Sequence, residues 1–186
     1  MSFLTNSAFQ IRRSNDRYND LQTVTGLFGS FSGSDFTADD CSAGFLCNKG
    51  DGIPSGGAYM TAAANGTAKL YACNTTDVQR LGAPNGNRYA VGVNTLGLGV
   101  PSGNKGAYTE LLPGESYAFG PGNFSTLVTT ANKYATVANG LLSGTSVEPS
   151  AADGYYFELD AEMGIDWFVE GNGNAYSRYN LIAKHA

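Results

Sequence analysis

Residues 155–160 read YYFELD, and residues 165–170 read IDWFVE. Apolar residues alternate with other residues in both stretches, at positions Tyr155, Phe157, Leu159, Ile165, Trp167 and Val169. A period of two places such residues on one face of an extended strand, where they can pack against a core. Residues 175–183 (AYSRYNLIA) follow the Asn- and Gly-rich segment 171–174. The sequence therefore predicts a three-stranded antiparallel meander with the single tryptophan, Trp167, in the core.

Four Asn-Gly pairs punctuate the chain, at 65–66, 85–86, 139–140 and 172–173. Asn and Gly both tolerate positive φ, which a type I′ hairpin turn requires at its two central positions. The pair at 139–140 has strand-like flanks, since YATVA precedes it and LL follows it. The prolines lie in loops, mostly beside glycine, where strands are expected to end. These signals predict a mainly β protein, an antiparallel β-sandwich or barrel-like body with hairpins.

Residues 1–36 differ from the rest of the chain. They are rich in aliphatic and aromatic side chains, but neither a helical nor a strand period lasts through them. A segment of this kind suits an extended N-terminal arm whose aromatic residues fill pockets elsewhere. We therefore divide the chain into an arm at 1–36 and a β-rich body at 37–186. The alternative interpretation is a frayed first strand with irregular packing.

Charge is sparse and unevenly placed. Hydrophobic residues make up 42% of the chain, enough for a core, whereas charged residues make up only 15% and the net charge is -5. Arg12, Arg13 and Arg17 lie near the start, and residues 148–170 contain acids but no base. A basic region and an acidic region of this kind can attract each other between copies of the chain, or between the chain and a partner. The alternative is a solvated acidic face with a loose basic tail.

Several classes of partner and compartment are disfavoured by composition. The basic residues are too few and too scattered for a nucleic-acid interface. No apolar stretch approaches the roughly 20 residues of a membrane-spanning helix. The chain has three cysteines, Cys41, Cys47 and Cys73, and an odd number argues against a closed disulfide framework. Together with a start that does not resemble a signal peptide, this predicts folding in a reducing cytoplasm with free thiols.

Motifs for catalysis, cofactors and metals are weak. The only histidine is His185, and a catalytic triad or a common zinc site needs an imidazole held in a packed site. The glycines at 97–103 lack the spacing of a dinucleotide-binding loop. The loop around Asp51 lacks the spacing of a calcium-binding loop. We therefore predict no catalytic residue, no cofactor and no metal, and we expect that the protein is not an enzyme.

Alternating carboxylates are the one arrangement that could serve an enzyme. Glu158, Asp160 and Glu162 share one face of a predicted strand, and Glu110 with Glu115 could approach them. A carboxylate-dependent glycan hydrolase needs two such groups at a fixed separation, one of them with a raised pKa. Acids on the outward face of a strand are more often simply solvated, so this is the weaker interpretation.

The organisation of the chain resembles that of the capsid decoration, or cement, proteins of tailed bacteriophages. The stretch YATVANGLL at 134–142, followed by GYYF at 154–157, is similar in style to their β-rich bodies. The resemblance implies a structural virion protein that stabilises a capsid by bridging subunits of the major capsid protein. It also implies homo-oligomers, with trimers favoured, that are made in the host cytoplasm and lie on the capsid surface of the virion.

The same resemblance implies an arm that clamps neighbouring capsid subunits. We assign the protein-binding role to the arm residues Phe3, Leu4, Phe9, Ile11, Arg12, Arg13 and Arg17. Buried apolar side chains carry most interface energy, whereas charges at the rim tune encounter and salt dependence. The arginines are therefore expected to align the arm with an acidic surface on the neighbouring subunit.

A tail- or fibre-associated module that binds a receptor or a carbohydrate is the alternative function. It would use exposed aromatic side chains such as Tyr108, Tyr117, Tyr176 and Tyr179. This alternative and the capsid-binding function both depend on which aromatic residues the fold leaves exposed.

Overall fold

The structure is a computed structural model that describes residues 4, 6–13, 23–52, 57–74, 80–83, 86–89, 99–169 and 175–185. Within these ranges the regular structure is almost entirely strand. The helices of the described residues are two single 3-10 turns, Pro121–Asn123 and Ala151–Asp153. The prediction of a mainly β, largely antiparallel protein with a sandwich-like or barrel-like body is confirmed.

The strands are numbered in chain order. They are β1 (Phe9–Arg13), β2 (Thr23–Ser32), β3 (Asp35–Ala38), β4 (Cys41–Ser42), β5 (Leu46–Asp51), β6 (Ala58–Ala62), β7 (Tyr71–Cys73), β8 (Arg80–Ala83), β9 (Gly86–Tyr89), β10 (Gly99–Val100), β11 (Lys105–Glu110), β12 (Ser116–Phe119), β13 (Phe124–Thr126), β14 (Tyr134–Ala138), β15 (Leu141–Thr145), β16 (Tyr155–Leu159), β17 (Ile165–Val169) and β18 (Ala175–His185).

Five strands close into a small barrel. They follow the order β11-β7-β5-β6-β2, and β11 also pairs with β2, which completes the ring. The β2–β6 pair is parallel and the others are antiparallel. Beyond its barrel contacts, β2 continues into a hairpin with β3. Closure removes the unpaired edges that an open sheet would present.

The barrel encloses its own hydrophobic core. This core contains Phe28, Cys41, Phe45, Cys47, Met60, Tyr71, Cys73, Val100 and Tyr108. All three cysteines are free and buried there. They therefore act as small apolar side chains of a packed interior, as expected from their odd number and scattered positions.

The remaining long strands form an eight-stranded sheet that curls on itself. Its order is β1-β12-β18-β16-β14-β15-β13, and β17 also pairs with β18. β13 and β18 are not neighbours in this order, yet the rings of Phe124 and Tyr179 lie 4.9 Å apart. The concave side holds a second core, which also takes in barrel residues such as Leu46, Leu70 and Leu111. The barrel and the sheet thus share one apolar layer.

The hairpin at Asn139 and Gly140 connects the two parts of the fold. These residues have φ values of 50° and 77°, as a type I′ turn requires, and they join β14 to β15 as predicted. Gly140 accepts a hydrogen bond from the Leu46 amide and donates one to the carbonyl oxygen of Ala63. A Cβ atom at Gly140 would lie 2.2 Å from the Phe45 ring. Glycine is therefore required here both for φ and for this close approach.

The other Asn-Gly pairs have different outcomes. β8 and β9 form the predicted hairpin, with Ala83 opposite Gly86, but the connecting residues 84–85 lie outside the described residues. The pair at 65–66 forms a turn between β6 and β7, which are not paired with each other because β5 lies between them. The pair at 172–173 lies outside the described residues, and its flanking strands β17 and β18 are antiparallel partners.

The predicted boundary at residue 36 does not separate an arm from a body in the described residues. β1 is hydrogen-bonded to β12 of the curled sheet, and β2 is a barrel strand. The apolar period of this segment is broken because β2 changes partners along its length, from β11 and β6 to β3. β1 is a hydrogen-bonded strand of the curled sheet rather than a frayed one, and the division of the chain into an arm and a body stays a prediction.

The buried thiols allow a direct test of the barrel core. Burial raises the pKa of the Cys41 and Cys47 thiols, and only the thiolate reacts readily with disulfide reagents. We expect negligible labelling of the native protein at neutral pH and three reactive thiols per chain in denaturant. Thr130→Cys, on the exposed surface, is the control that should label at once. Rapid native labelling of the wild type would contradict the closed barrel.

Candidate assembly interface

β18 is paired along both of its sides, and on one side it has two partners in succession. β16 pairs with it from Leu159 opposite Leu181, and β17 pairs with it from Ile165 opposite Tyr179. Between these positions β18 advances by two residues while the other chain segment advances by six. The extra residues form a bulge at 160–164, so β16 and β17 are one interrupted strand rather than two strands of the predicted meander.

Asp160 holds this bulge in place. Its Oδ1 atom accepts hydrogen bonds from the amides of Glu162 and Met163 at 2.8 Å and 3.1 Å. Its Oδ2 atom accepts one from the Ser116 hydroxyl at 3.1 Å. The backbone ladder continues across the bulge, because the Asn180 amide donates to the Gly164 carbonyl oxygen. A carboxylate that was a candidate for catalysis is thus used to shape the backbone.

The bulge preserves the alternation of side chains between β16 and β17. Residues directly opposite each other in an antiparallel pair share a face, so Ile165 lies on the same face as Tyr179, which belongs to the core. Trp167, two residues further along, lies on that face as well. The predicted alternation is therefore correct for these side chains.

The prediction that Trp167 is in the core is nevertheless wrong. Trp167 is 68% exposed, and Ile165 is 44% exposed. β17 pairs with the N-terminal part of β18, which extends beyond the second core. The core-facing side of this two-stranded ribbon therefore has no layer packed on it within the described residues. We call Ile165 and Trp167 the ribbon patch.

The opposite face of the ribbon is fixed by an ion pair. Arg178 contacts Asp166 through two parallel hydrogen bonds, Nε to Oδ1 at 2.8 Å and Nη2 to Oδ2 at 2.6 Å. Its Nη1 atom donates to Oε1 of Gln10 in β1 at 3.2 Å. Bidentate pairs of this kind restrict geometry as well as adding energy. The ribbon patch is thus carried on a braced strand pair.

The arm residues assigned to protein binding are largely packed within the chain itself. Phe9 is buried in the second core, where its ring lies 5.8 Å from that of Tyr117. Ile11 packs against the same core. Leu4 packs against the barrel core, and its amide donates to the Ser42 hydroxyl. The pockets that were expected in a neighbouring subunit are, for these three residues, pockets of the same chain.

The remaining arm residues are less fully defined. Arg12 and Arg13 are part of β1, but their side chains, like Phe3 and Arg17 as a whole, lie outside the described residues. β1 pairs with β12 alone among the described strands, so its outer edge is free of a partner there. The role of these four residues in binding a neighbour stays a prediction.

The tyrosines assigned to a carbohydrate-binding surface are mostly inside the protein. Tyr108 and Tyr117 are fully buried, Tyr179 is buried and Tyr176 is half-buried. Burial raises the pKa of both Tyr108 and Tyr117. Tyr108, Tyr117 and Tyr179 belong to the two cores, so these three side chains do not form an exposed binding surface in this fold.

Of the other candidate carboxylates, Glu158 and Glu110 have cationic neighbours, Glu115 is buried and Glu162 is exposed. Glu158 lies 2.8 Å from the Lys133 ammonium and 3.5 Å from that of Lys184. A hydrogen bond from Lys133 lowers the pKa of Glu158, whereas a general acid needs a raised one. Glu110 lies 3.6 Å from the Lys69 ammonium, and Glu115 is buried.

His185 and the acidic loops also have structural contacts. The His185 ring packs edge-on against Tyr155, with centroids 5.0 Å apart. Asp51 lies 3.3 Å from the Lys49 ammonium. Within the described residues, no group of three or more His, Cys, Asp or Glu side chains is placed to hold a metal ion.

Comparisons with known proteins do not identify the chain: no family model, no curated protein and no solved structure matches it. In the part of the chain that the structure describes, no helix is long and apolar enough to span a bilayer. Sequence reasoning identified the residues of the ribbon patch but assigned them to the core. The same alternation occurs whether or not a second layer covers the strand, so the local pattern could not have distinguished the two cases.

The position of Phe9 leads to a stability test. Phe9→Ala should lower the free energy of unfolding of the isolated protein by about 3 kcal/mol or more, because it leaves a cavity between Tyr117 and Phe119. Denaturant titration would measure this loss. Phe31→Ala is the matched control, since Phe31 is 43% exposed and should cost much less. A stability unchanged by Phe9→Ala would support an arm that binds elsewhere.

The Glu158 ion pairs lead to a pH test. The folded-state pKa of Glu158 is lowered, so its contribution to stability is present above the unfolded pKa and is lost as the pH falls through the folded pKa. Glu158→Gln should cost less than about 1 kcal/mol at neutral pH, because the group is partly exposed. The difference from wild type should shrink toward acid pH.

Proposed function

We propose that this chain is a structural virion protein that binds and stabilises a bacteriophage capsid by bridging subunits of the major capsid protein. One observation supports the proposal most directly, which is the exposure of Trp167 and Ile165 on a braced ribbon. Large exposed apolar side chains that lie together commonly mark protein interaction surfaces. The resemblance to capsid decoration proteins supplies the class of partner.

Trp167 suits the role of an anchor. Tryptophan is enriched among residues that dominate interface energy, and it buries about 150–250 Å² when fully covered. At about 25 cal/mol per Å², covering most of this side chain would contribute about 3 kcal/mol before the cost of association. Every copy of the protein on a capsid would make the same contribution to the binding free energy.

Charge and strand edges support a second contact. β1 contains Arg12 and Arg13 and has a free outer edge among the described strands. A free edge can receive a strand from another chain, and the arginines would direct it toward acidic surface. In this proposal the capsid surface meets the ribbon patch and the β1 edge, and copies of the chain associate as homo-oligomers, with trimers favoured.

The test uses virions purified after assembly with the wild-type protein or with a variant. Trp167→Ala should leave the thermal unfolding midpoint nearly unchanged, because the side chain is exposed, but should reduce the number of copies retained per particle after dilution. Quantitative mass spectrometry of the particles measures that number. The matched control is Val147→Ala, since Val147 is 72% exposed and lies outside the ribbon.

The outcomes separate two levels of the proposal. Absence of the protein from virions would overturn the function. Presence in virions with equal retention of the Trp167 and Val147 variants would overturn the role of the ribbon patch alone.

A further inference from the structure

A polar groove lies on the barrel surface, apart from the ribbon patch. It runs between β5 and the loop at 64–70 and has a volume of about 630 Å³, within the range of about 300–1,000 Å³ that is usual for ligand sites. Its lining includes Asn48 and Asp51 from β5, and Asn65, Thr67 and Lys69 from the loop. Amides, a hydroxyl and charged groups therefore line part of the open space, beside Ala64, Ala68 and Tyr71.

The loop that forms one wall is held in place. Ala63, which precedes the loop, and Leu70, its last residue, are both fully buried. The Asn65 amide group donates to Asp153 Oδ1 at 2.7 Å, and the Gly66 amide donates to the Asp153 carbonyl oxygen at 3.0 Å. Because this loop is already ordered, ligand binding loses no conformational entropy in ordering it, which favours affinity.

The charges of the groove are balanced. Lys49 lies 3.3 Å from Asp51, and Lys69 lies 3.6 Å from Glu110. Each ammonium group therefore has a carboxylate beside it. Such a surface has no excess of one sign to attract a polyanion or a polycation, but it retains hydrogen-bond donors and acceptors.

Asn48 is the residue that points to a ligand. Its Oδ1 atom is buried and has no hydrogen-bond partner, although its side chain belongs to the groove lining. Buried polar atoms are normally satisfied, and an exception calls for an explanation. Rotation of the amide about its Cβ–Cγ bond, a torsion with broad wells, would exchange the positions of its oxygen and nitrogen, so either atom can meet a ligand group.

We propose that this groove binds a neutral oligosaccharide. Sugar hydroxyls both donate and accept hydrogen bonds, so they can donate to Asn48 and accept from Asn65 and the lysines. The absence of a net charge among Lys49, Asp51, Lys69 and Glu110 matches an uncharged sugar. The binding would be an additional activity, and it does not depend on the proposed attachment to capsids.

The experiment applies the full-length protein to an array of neutral and acidic oligosaccharides, and then measures the best neutral hit by calorimetry. Asn48→Ala should weaken binding at least tenfold without lowering the thermal midpoint, because the lost oxygen has no partner in the protein. Ala68→Trp, at an exposed position of the loop, should abolish binding by filling the groove. Asn104→Ala, at an exposed asparagine elsewhere, is the matched control and should bind like the wild type.

Three results would overturn the proposal. The first is no binding to any neutral oligosaccharide on the array. The second is binding only to acidic ones, with loss at high salt, which would indicate ion exchange by the lysines. The third is neutral binding that Asn48→Ala and Ala68→Trp both leave intact, which would place the site elsewhere.

Discussion

β18 pairs with β12 on one side and with β16 and β17 on the other, and much of the curled sheet depends on its length. Backbone amides and carbonyl groups that are shielded from water need hydrogen-bond partners, and β17 supplies them along one side of the N-terminal part of β18. The chain meets this demand beyond the core by continuing β16 into β17 across the bulge at 160–164. The apolar face of that continuation is then exposed, because the second core ends before it. The feature on which the proposed function depends is thus a consequence of extending a sheet past its core.

The barrel and the sheet are joined by specific backbone contacts as well as by apolar packing. Gly140 is hydrogen-bonded to Leu46 and Ala63, and the Tyr155 hydroxyl donates to the Leu111 carbonyl oxygen at 2.9 Å. The side chain of Asn123 is similarly placed, since it donates to the Ala43 carbonyl oxygen and accepts from the Ala8 amide. These contacts fix the sheet relative to the barrel. A surface on either part can therefore present its residues with little reorganisation, which favours binding.

The ribbon patch and the polar groove differ in chemistry in a way that suits different partners. Trp167 offers apolar area, which a folded protein surface can bury with a gain in free energy. The groove around Asn48 offers hydrogen bonds and paired charges, which suits a small polar ligand. The carboxylates first considered for catalysis serve other purposes, since Asp160 shapes the bulge and Glu158 contacts two lysines. The presence of these acidic residues in the sequence therefore did not reveal that their carboxylates have structural roles.

The sequence by itself determined the class of structure and several of its local features. Alternation in 155–159 and 165–169 identified strands correctly, and Asn139-Gly140 identified a type I′ hairpin, because these signals arise from local backbone geometry. It could not determine which apolar faces would be covered. Phe9 was expected on an arm and is in the core, whereas Trp167 was expected in the core and is exposed. Burial is decided by which elements pack together at long range, so only the tertiary structure could place these two side chains.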